Sequence, residues 1–150
     1  MQVDFILNGK KRSVTCKPSE YLLDTLQALG VTSVRRGCET SSCGVCTVLV
    51  DGLPILSCSY LSARIHGKTV TTVEGISDEV SSIADHFGDE GADQCGFCNS
   101  GIALAAYALK QNKPDATDED IKDALSGHLC RCSGYQAQIR AIRKYLGDRS

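Results

Sequence analysis

The sequence predicts an α+β chain in two parts: a small mixed sheet crossed by one helix over residues 1–76, then a four-helix bundle over residues 77–150. Three observations predict it. The turn dipeptides Asn8-Gly9 and Asp51-Gly52 each stand between short runs of strand-forming residues and suit the positive φ angles of a tight hairpin. Between Glu74 and Val80 the apolar pattern changes from strand-like to helical spacing. Four amphipathic stretches follow.

In chain order, Val3–Leu7 and Arg12–Cys16 are strands flanking the first turn. Tyr21, Leu22, Leu26 and Leu29 recur at helical spacing and stop at Gly30, which suits a helix with its C-terminal glycine. Thr47–Val50 and Leu53–Leu56 flank the second turn, and Thr69–Val73 completes the sheet. In the second part, Ile83, Ala84 and Phe87 predict a helix ending at Gly88, and Ile102, Ala105, Ala106 and Leu109 predict another. Thr117 is a good N-cap, with Asp118, Glu119 and Asp120 in a first turn where carboxylates favour the helix dipole. Ile121, Ala124 and Leu125 form the buried face of that helix, and Ile139, Ile142 and Leu146 mark the fourth.

Eight of the nine cysteines fall into two quartets of different design. The first is Cys38-x4-Cys43-x2-Cys46-x11-Cys58; the second is Cys95-x2-Cys98 followed by Cys130-Arg131-Cys132. Soft thiolate donors select zinc or iron-sulfur clusters over harder metals. The x4, x2 loop has the plant-type spacing for a 2Fe-2S cluster, and the first part of the chain has the β-grasp pattern in which plant-type ferredoxins are found. The loop Gly37–Cys46 carries small or polar residues, Glu39, Thr40, Ser41, Ser42 and Gly44, and such a loop can aim backbone N–H groups at sulfide, which a bare zinc ion does not require. Two structural zinc sites remain the alternative. In the second quartet, Cys98 precedes the helix of Ile102–Leu109 and Cys130 and Cys132 precede that of Gln136–Leu146, so two helix N-termini would face one anionic cluster. Gly96, Gly101 and Gly134 leave room for close backbone approach.

Composition excludes several other classes. A formal net charge of −2 gives no electrostatic footprint for nucleic acid. The longest apolar run, Ile102–Leu109, is too short for membrane insertion. Met1-Gln2-Val3-Asp4 opens without an export signal and the cysteine count is odd, so a reducing, cytoplasmic setting is expected rather than a disulfide scaffold. Cys16 lies outside both quartets and is expected to be a small buried hydrophobe. His66 and His86 have no partners at ligand spacing and are expected at the surface, while Lys10, Lys11 and Arg12 form a solvated basic hairpin tip. Arg131 lies between two candidate ligands and could offset cluster charge, contact a partner or remain solvated.

Gln94-Cys95-Gly96-Phe97-Cys98 together with Leu129-Cys130-Arg131-Cys132-Ser133-Gly134-Tyr135-Gln136 resembles the iron-sulfur subunit of the molybdenum hydroxylases, the family of xanthine dehydrogenase, aldehyde oxidoreductase and carbon monoxide dehydrogenase. Gly37-Cys38 through Cys43-Gly44-Val45-Cys46-Thr47-Val48 resembles the family's other cluster loop. The resemblance implies an electron-transfer subunit with two 2Fe-2S clusters, no catalytic base and no substrate site. A large subunit would hold molybdopterin and hydroxylate its substrate with oxygen from water, and a middle subunit would hold FAD. By the same resemblance the Cys95, Cys98, Cys130, Cys132 cluster lies toward molybdenum, the Cys38, Cys43, Cys46, Cys58 cluster lies toward FAD, and Gln94 and Cys132 contact the pterin. Cys58-Ser59-Tyr60-Leu61 and the short separate chain resemble bacterial xanthine dehydrogenase subunits, with nicotinate or other N-heteroaromatic hydroxylases, aldehyde oxidoreductases and carbon monoxide dehydrogenases as alternatives. The chain departs from the family pattern at Asn99-Ser100, where Thr-Pro is common, at His128, where Asn is usual, and at Glu39 and Ser41, where Gly is frequent. None of these removes a ligand, but they change the hydrogen bonding around each cluster, and a structural role is the first expectation for His128.

Overall fold

Both turn dipeptides close hairpins, with φ of 49° and 76° at Asn8-Gly9 and of 50° and 81° at Asp51-Gly52. The first hairpin joins β1 (Gln2–Leu7) to β2 (Lys10–Thr15), and the second joins β3 (Thr47–Val50) to β4 (Leu53–Leu56). The computed structural model describes residues 1–147. A fifth strand, β5 (Thr69–Thr71), runs parallel to β1 and antiparallel to β3, giving one mixed sheet in the order β2-β1-β5-β3-β4. The expected last strand reached Val73. Pairing stops at Thr71 because Val73 already begins a 3₁₀ turn, Val73–Gly75.

Helix α1 (Leu22–Ala28) buries Leu22, Leu23 and Leu26 against Val3, Phe5, Val48, Val50 and Val70 on one face of the sheet. Cys16 is buried in this same core, as expected of a small hydrophobe. Chain reversal after α1 uses Gly30 at φ 84°. Every residue of β3 is buried. Side chains alternate across a strand, so two covered faces are required: Val48 and Val50 meet the α1 side, while Leu49 packs with Leu104 and Ala108 from the helical part.

That helical part consists of α2 (Ser77–Asp89), α3 (Asn99–Asn112), α4 (Asp118–Leu125) and α5 (Gln136–Tyr145). Gly88 does not end α2. Nothing crowds it inside the helix, and the reversal falls instead at Gly91, φ 64°, where the Ala92 N–H reaches the Phe87 carbonyl at 2.8 Å and the Gly91 N–H reaches that of Gly88 at 3.1 Å. Helix α3 is longer at both ends than its apolar stripe suggested, with Cys98 at its N-cap. Thr117 caps α4 in a reciprocal box with Asp120. Glu79 of α2 accepts from the Tyr145 hydroxyl at 2.5 Å, and Lys110 of α3 lies 4.1 Å over the Tyr145 ring, so α2, α3 and α5 meet at one point.

The two parts are joined by more than Leu49. Leu129 donates its N–H to the Cys43 carbonyl at 2.9 Å, Arg35 donates to the carbonyls of Gly96 at 2.9 Å and Phe97 at 3.0 Å, and Ser100 donates to the Ser33 carbonyl at 3.0 Å. At the centre of the contact Gly101 lies against Gly44, so closely that a Cβ on Gly101 would stand 2.3 Å from the Gly44 carbonyl oxygen. Among the described residues no helix is long and apolar enough to cross a membrane.

Candidate metal centres

The loop before β3 brings four thiols together as two pairs. Cys38 and Cys43 lie within hydrogen-bonding reach of each other, and Cys46 and Cys58 form the second pair. Backbone N–H groups of Ser42 and then Thr40 point at the Cys38 sulfur and hold its thiol down to about 6. Burial pushes Cys43 up and pushes Cys46 up to about 11. Two residues set the loop's shape. A Cβ on Gly37 would meet Val45 at 2.7 Å and the Cys43 sulfur at 3.1 Å, while Ser41 holds φ 54°, a left-handed conformation that explains why glycine suits its position. The Ser41 hydroxyl in turn lies 3.5 Å from the Cys58 sulfur. Cys38 and Cys58 share a cavity of about 180 Å³ with Tyr21, Arg36, Glu39 and Ser41.

The second quartet is also paired: Cys98 lies beside Cys130, and Cys95 beside Cys132. Cys98 is buried at the N-terminus of α3 and its thiol is pushed up to about 11, by burial first and by Cys130 next. At Cys130 burial acts in the same upward sense, yet the thiol falls to about 7 because Ser133 donates to its sulfur from its hydroxyl at 3.2 Å and its N–H at 3.5 Å. The Cys95 thiol raises Cys132. Tyr135, at φ 69°, turns the chain into α5 and accepts the Cys130 N–H on its hydroxyl at 2.9 Å. Gln94 donates to the Cys132 carbonyl at 3.2 Å, and Gln94, Cys95 and Cys132 are exposed together on this side of the bundle.

All nine cysteines are free thiols. Among the described residues no three His, Cys, Asp or Glu side chains converge as a single-ion site requires, whereas a two-iron cluster takes its four thiolates as a pair on each iron. The two-plus-two donor sets therefore fit 2Fe-2S clusters.

His128 proves to be structural: it is buried, burial lowers its pKa, and its Nε2 lies 3.2 Å from the Thr47 hydroxyl, which itself donates to the Gly44 carbonyl. That hydroxyl has no second proton, so Nε2–H is the donor. Arg131 is exposed, as are Lys10, Lys11 and Arg12, and His66 is exposed with Nδ1 accepting the Asp4 N–H at 3.2 Å. His86 is half-buried on α2 rather than a free surface residue. The sequence reading overlooked Gln138, fully buried on α5 with its amide nitrogen 3.7 Å from the Cys98 sulfur. Its spacing before Ile142 puts it on the apolar stripe, a signal that was available.

Residues 5–69 match the model of the 2Fe-2S iron-sulfur cluster binding domain, and residues 72–143 match that of a second 2Fe-2S binding domain. The nicotinate dehydrogenase small FeS subunit of Eubacterium barkeri is 41% identical over 98% of this chain and 95% of its own length. The xanthine dehydrogenase iron-sulfur-binding subunit of Escherichia coli O157:H7 is 37% identical over 93% of this chain and 91% of its own. The chain belongs to the iron-sulfur subunits of the molybdenum hydroxylase family. Among solved structures, quinoline 2-oxidoreductase from Pseudomonas putida 86 superposes with a TM-score of 0.89 at 35% identity, covering 97% of this chain and 93% of that one. As a member of this family the chain is an iron-sulfur electron-transfer subunit of an oxidoreductase, built as a ferredoxin-like domain followed by a helical 2Fe-2S domain.

Proposed function

We propose that Cys38, Cys43, Cys46 and Cys58 hold one 2Fe-2S cluster and Cys95, Cys98, Cys130 and Cys132 hold the other, in domains divided between residues 76 and 77. The observation that carries this reading is the two-plus-two pairing of thiols in each quartet. The divide is supported by β5 ending at Thr71 and α2 beginning at Ser77; the last residues of the second domain, 148–150, lie outside the described part of the chain. Each bound cluster accepts one electron at a time, so two in series divide the pair released at the molybdenum site and deliver it singly to FAD. This chain's part is to fix the thiolates, shield the buried members of each quartet and present the exposed ones to partners.

The partners are a large subunit with molybdopterin and a middle subunit with FAD. The helical quartet faces the former, with Gln94 and Cys132 against the pterin; their joint exposure, with Gln94 donating to the Cys132 carbonyl, supports this. The substrate is an N-heteroaromatic ring, with xanthine the specific member, since the relatives above are named for nicotinate, xanthine and quinoline. Nine free thiols support a cytoplasmic setting.

The complex purified anaerobically should contain about four iron and four acid-labile sulfide per copy of this chain. Stoichiometric zinc without sulfide overturns the reading. In rapid-freeze EPR, a Cys43→Ser complex should still show substrate-dependent reduction of the helical cluster while flavin reduction is almost abolished. Near-normal flavin reduction with that cluster absent refutes the series order. Reduction by an aldehyde or carbon monoxide but by no N-heteroaromatic ring would refute the substrate class.

A further inference from the structure

Gln138 is fully buried inside the bundle, on the face of α5 that also buries Ile139, Ala141 and Ile142. An amide placed there loses its water, and the loss is tolerable only where its polar atoms find partners. Its nitrogen has one, the Cys98 sulfur at 3.7 Å, but its oxygen is buried with none. By the rule that a buried, half-satisfied polar group is less stable than an apolar side chain of the same shape, methionine or leucine would suit this position better for folding alone. The amide therefore contributes something other than stability, and the atom it addresses is the sulfur of a candidate cluster ligand.

We propose that Gln138 is a positioning residue that orients the Cys98 thiolate and raises the reduction potential of the helical cluster. The proposal rests on Cys98 being a ligand. Reduction adds negative charge to a cluster, and part of that charge resides on the ligand sulfurs. An N–H aimed at sulfur stabilises the reduced state more than the oxidised one. Cys98 sits at the N-cap of α3, where the helix dipole acts in the same direction. The other quartet has no buried amide at a sulfur among the described residues; its sulfurs meet backbone N–H groups, one another, and the hydroxyls of Ser41 and Ser57. Gln138 thus acts on one cluster and not on the other, and separates their potentials.

The test is an EPR-monitored redox titration of the assembled complex carrying Gln138→Met, which keeps the length and removes the donor, with Gln138→Leu beside it. The expected result is full iron content and a lowered midpoint for one of the two cluster signals, by a factor of about three to ten in its reduction equilibrium. That factor corresponds to about 30 to 60 mV at 59 mV per decade. The other signal should not move, and the thermal midpoint should stay level or rise, because the unpartnered oxygen is gone. An unchanged midpoint with the cluster present overturns the proposal, as does an equal shift of both signals. Loss of helical-cluster iron in both variants overturns it too, since Gln138 would then be holding the fold. A Cys98→Ser complex separates this from the ligand assignment: if it keeps the helical signal unaltered, the assignment itself has failed.

Discussion

Replacing Gly101 by alanine tests how the two parts of the chain are held. Alanine is the better helix former by about 0.8–1.0 kcal/mol, so propensity alone predicts stabilisation of α3. Its Cβ, however, would stand 2.3 Å from the Gly44 carbonyl oxygen, 3.2 Å from the Gly44 carbonyl carbon and 3.3 Å from the His128 ring. The nearest obstacle is backbone in the loop between Cys43 and Cys46, which cannot swing aside as a side chain can. Overpacking of this kind costs about 1–3 kcal/mol, and contact with backbone places it near the upper end. The net effect is a destabilisation of about 1–2 kcal/mol, or roughly 2–8 °C at 2–4 °C per kcal/mol for a chain of this size. Gly88→Ala is the control. That glycine also lies within a helix, but nothing stands within 4 Å of its Cβ position, so the propensity gain should appear undiminished as a rise of about 2–4 °C. Thermal unfolding of the cluster-loaded chain, followed by near-ultraviolet and visible circular dichroism, measures both. If Gly101→Ala is as stable as Gly88→Ala, the two parts do not meet at Gly44 as described.

Other perturbations give equally definite results. Cys16→Ser should leave iron content and both EPR signals intact, because that thiol, though buried in the same sheet core as Cys46, belongs to neither set of paired sulfurs; loss of iron would show that the quartets are misassigned. Tyr135→Phe removes the acceptor of the Cys130 N–H, lowering stability by about 1 kcal/mol and hastening iron loss to a chelator from one cluster only. Thr117→Ala breaks the capping box of α4 and should lower the thermal midpoint through about 1 kcal/mol with no change in either EPR signal. Chelating the iron should lower the midpoint far more than any of these, since ligand binding to the folded state contributes directly to its stability.

What was legible in the sequence was whatever depends on near neighbours. Asn8-Gly9 and Asp51-Gly52 specify their turns by their own φ preferences, Thr117 caps through a residue three positions on, and the cysteine spacings belong to short loops. Gly88 misled because glycine permits a helix to end without requiring it, and the next glycine at an unstrained reversal, Gly91, took that role. The contact of Gly44 with Gly101 was harder to see, since each glycine reads locally as turn or cluster-loop flexibility and the reason for it lies in the other half of the chain. The unbroken apolar run of β3 did carry a trace of it, as strands buried on both faces lose the alternation of half-exposed ones. Gln138 was passed over because polar residues on helices are normally solvated, and only the packed bundle shows that this one is not.

The doubly covered β3 strand decides how this chain can be recombined. Cut near residue 76, the sheet would expose Leu49 and Val45 to water, and the bundle would expose Leu104 and Ala108. Grafting either half onto an unrelated redox protein would therefore require carrying the opposing wall with it, and swapping halves between relatives should succeed only when the residues facing positions 44, 49, 101 and 104 are exchanged as a set. The exchangeable cassette is the whole subunit.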